Sequence, residues 1–200
     1  MKSPVYWSPT FHEILKKIIR RKKKSDIHKR LQEVCKWIPE KSSVIDVAAG
    51  TSRIYREMLR GFVGSYIAVE INLSFVKYLK GIGIEAIQMD IRKEPLPKAD
   101  IVVMMAAMYH FKDQESEILD KLLGAARLRV IIVEPIGSSL QESCWRDRLK
   151  AKLADIGEGP IYYRIEKERL LKICEDRGKV EYHAFLPNNE FMVVIKGNGH

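Results

Sequence analysis

Between Ser43 and Glu134 short apolar runs alternate with stretches whose apolar residues recur at helical spacing, and no other feature constrains the fold as tightly. The runs predict strands over Ser43 to Val47, Ser65 to Glu70, Glu85 to Met89, Asp100 to Met105 and Arg129 to Glu134. They are apolar almost throughout, as strands covered on both faces must be. Helices are expected over Ser52 to Arg60, Leu73 to Lys80 and Asp113 to Ala126. Pro95 and Pro97 predict a loop from Asp90 to Ala99, because proline removes a helical donor and clashes with the preceding turn. Strands alternating with helices assemble as a parallel sheet with helices on both faces, a doubly wound α/β domain. Further helices are expected from Ser139, with Glu142 as its capping partner, to Gly157, and from Ile165 to Arg177. Val180 to Phe185 and Phe191 to Ile195, joined by Pro187, Asn188 and Asn189, must pair antiparallel. The expectation is a mostly parallel seven-stranded sheet closed by an antiparallel C-terminal strand.

Two helices are expected ahead of this domain, so that residues 1–40 form an arm and residues 41–200 the globular unit. Thr10 and Glu13 make a capping pair, and Phe11, Ile14, Leu15, Ile18 and Ile19 follow as one stripe. Ile27, Leu31, Val34, Cys35 and Ile38 make a second stripe, stopped at Pro39. The formal charge of +9 is concentrated here: Lys16 to Arg30 hold nine basic residues against Asp26, leaving only +1 for all the rest. A cluster of this kind either holds phosphates through counterion release or is a solvated helix junction.

The 46% hydrophobic content suits one buried core. No apolar run approaches the roughly 18 residues of a membrane span. Charges follow the first apolar residues rather than preceding them, unlike a secretory signal, so a cytoplasmic protein is expected. Cys35, Cys144 and Cys174 are odd in number and widely spaced, and read as small buried hydrophobes in a reducing compartment. Scarce Asn and Gln beside abundant Lys, Arg, Glu and Ile suggest a heat-adapted source.

The chemistry gathers at the strand ends. After Val44-Ile45-Asp46-Val47 come Ala48, Ala49, Gly50, Thr51 and Ser52, side chains small enough for a ligand to approach backbone at the mouth of a helix. Twenty residues past Gly50, Glu70 ends the second strand, where a carboxylate can accept both hydroxyls of a ribose. Asp90 ends the third. Small and acidic residues at three strand tips describe a nucleoside-shaped crevice at the switch point of an open sheet. Carboxylates near the first loop suit a ligand bearing an ammonium and a sulfonium, whereas a pyrophosphate calls for glycines and no acid.

These segments resemble the Rossmann-like class I methyltransferases that use S-adenosylmethionine, within the type 11 and UbiE-like group. The likeness spans roughly Ser43 to Lys196 and is strongest in VIDVAAGTS, AVEIN, MD followed by Ile91, and IVVMMAAMYHF. It implies that Asp46, Ala48, Gly50 and Thr51 cradle the methionine end of the cofactor and that Glu70, with Ile71 beside it, holds the ribose. It implies that Asp90 contacts the adenine while Ile91 packs on the ring, and that Met105 and Ala106 line the methionine side. Tyr109 and His110 fall where the family faces its substrate; His110 either takes an acceptor proton or caps and packs. Ala48 and Ser52 stand where the family usually has glycine.

No metal is expected, because no Asp, His or Glu spacing suits one. The sequence disfavours amino methylation through an Asn- or Asp-Pro-Pro-aromatic motif and covalent attack on a pyrimidine, since neither that motif nor a cysteine follows the fourth strand. Tyr6, Trp7, Trp145, Tyr162 and Tyr163 are available to line an apolar pocket, which gives a slight lean toward a small-molecule acceptor; tRNA or rRNA is the rival, through the basic arm. A non-catalytic cofactor- or partner-binding module and an NAD-binding oxidoreductase are the remaining alternatives. Oligomeric state is open at this point.

Overall fold

The computed structural model of the chain describes residues 24–137, 140–141, 143–153 and 161–199. The elements in order are helix α1 (Lys24–Cys35), strand β1 (Ser43–Val47), β2 (Ser65–Glu70), α2 (Leu73–Gly81), β3 (Ala86–Gln88) and β4 (Ala99–Met105), followed by a 3-10 turn at Met108–Phe111. Then come α3 (Glu115–Ala125), β5 (Ala126–Pro135), α4 (Trp145–Leu153), α5 (Lys167–Arg177), β6 (Val180–Leu186) and β7 (Glu190–Lys196). The seven strands form one sheet in the order β3-β2-β1-β4-β5-β7-β6. β1 lies parallel to β2 and β4, and β4 parallel to β5, while β7 runs antiparallel to both β5 and β6. The expected class I sheet is thus present, its reversed strand inserted between β5 and β6.

Strand alternation builds two cores. On one face Ile45, Val47, Val69, Val102, Met104, Val130 and Ile132 meet Ile118, Leu119 and Leu122 of α3 and Leu170 and Cys174 of α5. On the other, Val44, Tyr66, Ala68, Ile101, Val103, Ile131 and Val133 meet Leu31 and Val34 of α1 and Val76 and Leu79 of α2. The second apolar stripe of the sequence therefore belongs to the domain core. Burying a side chain such as Leu31 contributes about 2 kcal/mol, enough to hold α1 against the sheet.

The direction of α1 matters for the site. Near its middle, Arg30 donates through Nη1 to both carboxylate oxygens of Glu190 at 3.1 and 3.2 Å, and Glu190 pairs with Pro135 at the carboxyl end of β5. Beyond its last residue, Trp37 stacks on Tyr182 at 5.0 Å and lies beneath Arg129 at the opposite end of β5. α1 therefore begins at the edge of the sheet where the parallel strands end. The residues from Lys24 to Arg30 rise about 9 Å along the helix axis at 1.5 Å per residue.

Several boundaries differ from expectation. After β1 only Arg53 and Ile54 are α-helical; Tyr55–Leu59 form a wider π turn, with the Arg60 amide bonded to the Tyr55 carbonyl at 3.0 Å. The helix expected from Ser139 to Gly157 is described only as α4; Ser139, Glu142 and residues 154–160 lie outside the described residues, as do the helix expected after Thr10 and the side chains Tyr6 and Trp7. Asp90 to Lys98 is a loop, as Pro95 and Pro97 require. Cys174 is buried, but Cys35 and Cys144 are only half-buried. Burial pushes the Cys35 thiol up to about 11 and that of Cys174 up to about 12, so both stay protonated. No described helix is long and apolar enough to cross a membrane.

Candidate active site

The strand order reverses direction between β1 and β4, and the crevice outside the carboxyl ends of β1, β2 and β4 is where such sheets bind ligands. Ala48, Gly50 and Ser52 in the loop after β1 have φ of 54°, 55° and 48°, all left-handed. For glycine this conformation is free of strain, whereas for alanine and serine it costs on the order of 1–2 kcal/mol each. A β-carbon built on Gly50 would meet nothing within 4 Å. The space beside the Gly50 α-carbon is open.

Glu70 holds this loop from below. Its Oε2 accepts the amide of Gly50 at 2.9 Å and its Oε1 the amide of Asn72 at 2.9 Å, with the residue only 6% exposed. Asn72 then caps α2 by accepting the Ser74 amide at 2.8 Å. Ile71 beside it is 37% exposed, while Ile91 is packed into the core. The two strand ends are adjacent: the Met89 amide donates to the Glu70 carbonyl at 3.1 Å. Asp90 is gripped by Arg92, whose Nε and Nη2 donate at 2.9 and 3.1 Å, and this pairing holds its carboxyl below the usual range.

Asp46 is buried at the end of β1 and accepts the Tyr66 hydroxyl at 2.6 Å. Burial pushes its carboxyl up to about 7, against the hydrogen bond from Tyr66 and with help from the nearby Glu70 charge. The Asp46 charge is thus poised near neutrality and would be favoured by a cation. Thr51 is buried, and its carbonyl accepts from Arg56 Nε at 2.9 Å.

Across the crevice, β4 ends in Met105 and Ala106. Ala106 has φ 55°, and its amide donates to the Val133 carbonyl at 2.7 Å. The next two amides, Ala107 and Met108, both donate to Oε1 of Glu134, at 2.7 and 2.8 Å. They open the turn that carries Tyr109 and His110. Tyr109 is buried, its ring 4.4 Å from that of His110 on one side and 4.5 Å from the Arg164 guanidinium on another. Tyr163 donates to Glu115 Oε1 at 2.6 Å, and Arg169 donates to Oε2 at 3.0 Å, so the segment around Tyr163 is fastened to the start of α3. Trp145 is 63% exposed.

The structure thus brings Asp46, Ala48, Gly50, Thr51, Glu70, Ile71, Asp90, Met105 and Ala106 to the adjacent tips of β1 to β4, with His110 and Tyr109 one turn beyond. Sequence reasoning missed Glu134. Its signal was a lone acid ending the apolar run Val130 to Val133, one strand from the crevice.

Known proteins share this fold. Residues 45–123 match a family model described as Methyltransferase domain, type 11. A chain in the complex between the Haloferax volcanii Trm112 methyltransferase activator and a putative methyltransferase superposes with a TM-score of 0.68 at 12% identity, covering 88% of this chain and 91% of that one. Magnesium protoporphyrin IX methyltransferase from Synechocystis PCC 6803 with bound SAH gives 0.61 at 15% identity, covering 86% and 84%. The N-methyltransferase NodS from Bradyrhizobium japonicum WM9 gives 0.62 at 8% identity, covering 87% and 97%. No curated protein is similar enough in sequence to count as a relative. Residues 45–123 thus match a methyltransferase-domain model, and the chain as a whole has the fold of known methyltransferases.

Proposed function

We propose that the protein is an S-adenosylmethionine-dependent methyltransferase. The open space at Gly50, whose amide Glu70 holds, with the buried carboxylate of Asp46 at the end of β1, carries this reading. A ligand with a ribose and two positive charges fits that donor and acceptor set; a pyrophosphate facing buried acids does not. Related folds hold SAM or SAH, as the Synechocystis enzyme does.

When bound, S-adenosylmethionine supplies a sulfonium methyl group, which passes in line to an acceptor lone pair as sulfur leaves as a neutral thioether. The chain's own residues position and discriminate. Glu70 would accept the ribose hydroxyls while holding Gly50 in place. Ile71 offers apolar surface to the adenine, with Ile91 supporting it from the core and Asp90 at its edge. Asp46, Ala48, Gly50 and Thr51 surround the methionine end, with Met105 and Ala106 opposite. Alignment contributes most of the acceleration. His110 takes the proton of an acceptor that must lose one, and Tyr109 packs against the His110 ring at a tilt.

For the acceptor, a small molecule entering beside His110, Tyr163 and Trp145 is the first reading. RNA is the second, and the direction of α1 favours it: the basic run enters that helix at the same edge of the sheet as the site. Incubation with methyl-labelled cofactor and fractionated cell extract tests the activity, with label expected in one fraction. A salt-dependent gel shift with total cellular RNA, lost on replacing Lys16, Lys17, Lys22, Lys23 and Lys24 by glutamine, selects RNA; no shift at low salt selects the small molecule.

A further inference from the structure

We propose that Glu134 is a positioning residue for methyl transfer: its Oε1 fastens the amides of Ala107 and Met108 and so fixes the turn Met108–Phe111 that carries Tyr109 and His110. The proposal rests on the methyltransferase reading of the crevice. Ala107 and Met108 open a short helical turn, where amides have no partner within the helix. Both residues are buried, so water cannot serve those amides, and one carboxylate oxygen serves both at 2.7 and 2.8 Å.

A carboxylate is an expensive acceptor in such a place. Glu134 is 0% exposed, and its Oε2 has no hydrogen-bond partner among the described residues. An apolar residue at the end of β5 would avoid that desolvation cost, so packing does not explain the acid. Among the described residues, the partners that reward it are the two amides of the acceptor-side turn. Fully buried, Glu134 acts through that turn, which makes it a positioning group and not a catalytic one.

Its surroundings tie it to three other elements. Glu190 of β7, paired with Arg30 of α1, faces it as a second buried carboxylate, and Arg164, whose guanidinium covers Tyr109, faces it as a cation. Burial pushes the Glu134 carboxyl up to about 8, opposed by the two amides and by Arg164 and assisted by Glu190. An ionised carboxylate is the stronger acceptor, so the Ala107 and Met108 amides report its charge.

The test uses the full chain labelled with nitrogen-15, as wild type, Glu134→Gln and Glu134→Leu. In wild type the Ala107 and Met108 amide resonances should titrate together with a midpoint near 8. In Glu134→Gln that titration should vanish while turnover stays within about threefold, because the amide oxygen still accepts. In Glu134→Leu the two amides should exchange about a hundredfold faster and turnover fall at least tenfold, with S-adenosylhomocysteine affinity within threefold of wild type. Ala107 and Met108 amides that exchange in wild type as fast as exposed amides overturn the proposal, even if the leucine variant fails to fold. Unchanged exchange and turnover in a folded Glu134→Leu overturn it as well. Absence of S-adenosylhomocysteine binding in wild type sinks the methyltransferase reading instead, and the amide titration remains to be read separately.

Discussion

The carboxylate of Glu70, at the tip of β2, accepts the amide of Gly50, twenty residues earlier, at 2.9 Å. One side chain therefore shapes the loop after β1. Glu70→Ala removes the acceptor for the Gly50 and Asn72 amides together and should cost about 2–3 kcal/mol in urea unfolding. Affinity for S-adenosylhomocysteine should fall more than tenfold. Affinity within threefold of wild type would remove Glu70 from the site.

Ala48 occupies the left-handed region at φ 54° with a β-carbon that this region disfavours. Ala48→Gly relieves about 1 kcal/mol of strain, partly offset by the greater freedom of glycine in the unfolded chain. The variant should melt slightly above wild type. A clear loss of stability would mean that the methyl group makes contacts outweighing its strain.

Asp46 gives stability a pH dependence of definite sign. Burial raises its carboxyl from 3.8 to about 7 in the folded chain. As pH climbs from about 4 to about 7 the unfolded chain releases this proton while the folded chain keeps it, so stability falls through that window and levels above it. The slope approaches about 1.4 kcal/mol per pH unit. Asp46→Asn keeps an oxygen for the Tyr66 hydroxyl and should remove the slope. A stability difference from wild type that is constant between pH 4 and 7 would refute the assignment. Glu134 acts with the same sign up to about 8, while Asp90 and Asp100, held low by Arg92 and by Ser43, lose their contribution only in acid.

His110→Ala should lower turnover at least tenfold if proton removal is part of the reaction. Cofactor affinity should change little, because His110 stands a turn beyond the residues around Gly50. Unchanged turnover would remove it from the mechanism and leave it a packing partner of Tyr109.

The strands were legible because burial on both faces leaves an uninterrupted apolar run. Ser43–Val47 and Ser65–Glu70 match residue for residue. β3 is shorter than expected because it is an edge strand and pairs only through Ala86 to Gln88. The irregular π turn after Ser52 could not be read, since sequence periodicity carries no sign of a left-handed serine just ahead of the helix. The acids Glu70 and Asp46 were legible as interruptions at the ends of apolar runs, and the structure places both at strand ends beside the loop after β1. The grip of Arg92 on Asp90 and the burial of Ile91 depend on side-chain packing, which spacing does not encode. Glu134 was hidden for a further reason: its partners are backbone amides, which leave no mark in a sequence.

Calorimetry of S-adenosylhomocysteine against the wild-type chain and against Gly50→Ala tests the central claim most directly. A methyl group at Gly50 enters open space and costs about 1 kcal/mol of backbone strain, so the variant should fold. The account predicts one-to-one binding to wild type and at least a tenfold loss in the variant. No heat with wild type from either S-adenosylhomocysteine or S-adenosylmethionine, or equal affinity in both proteins, would contradict it.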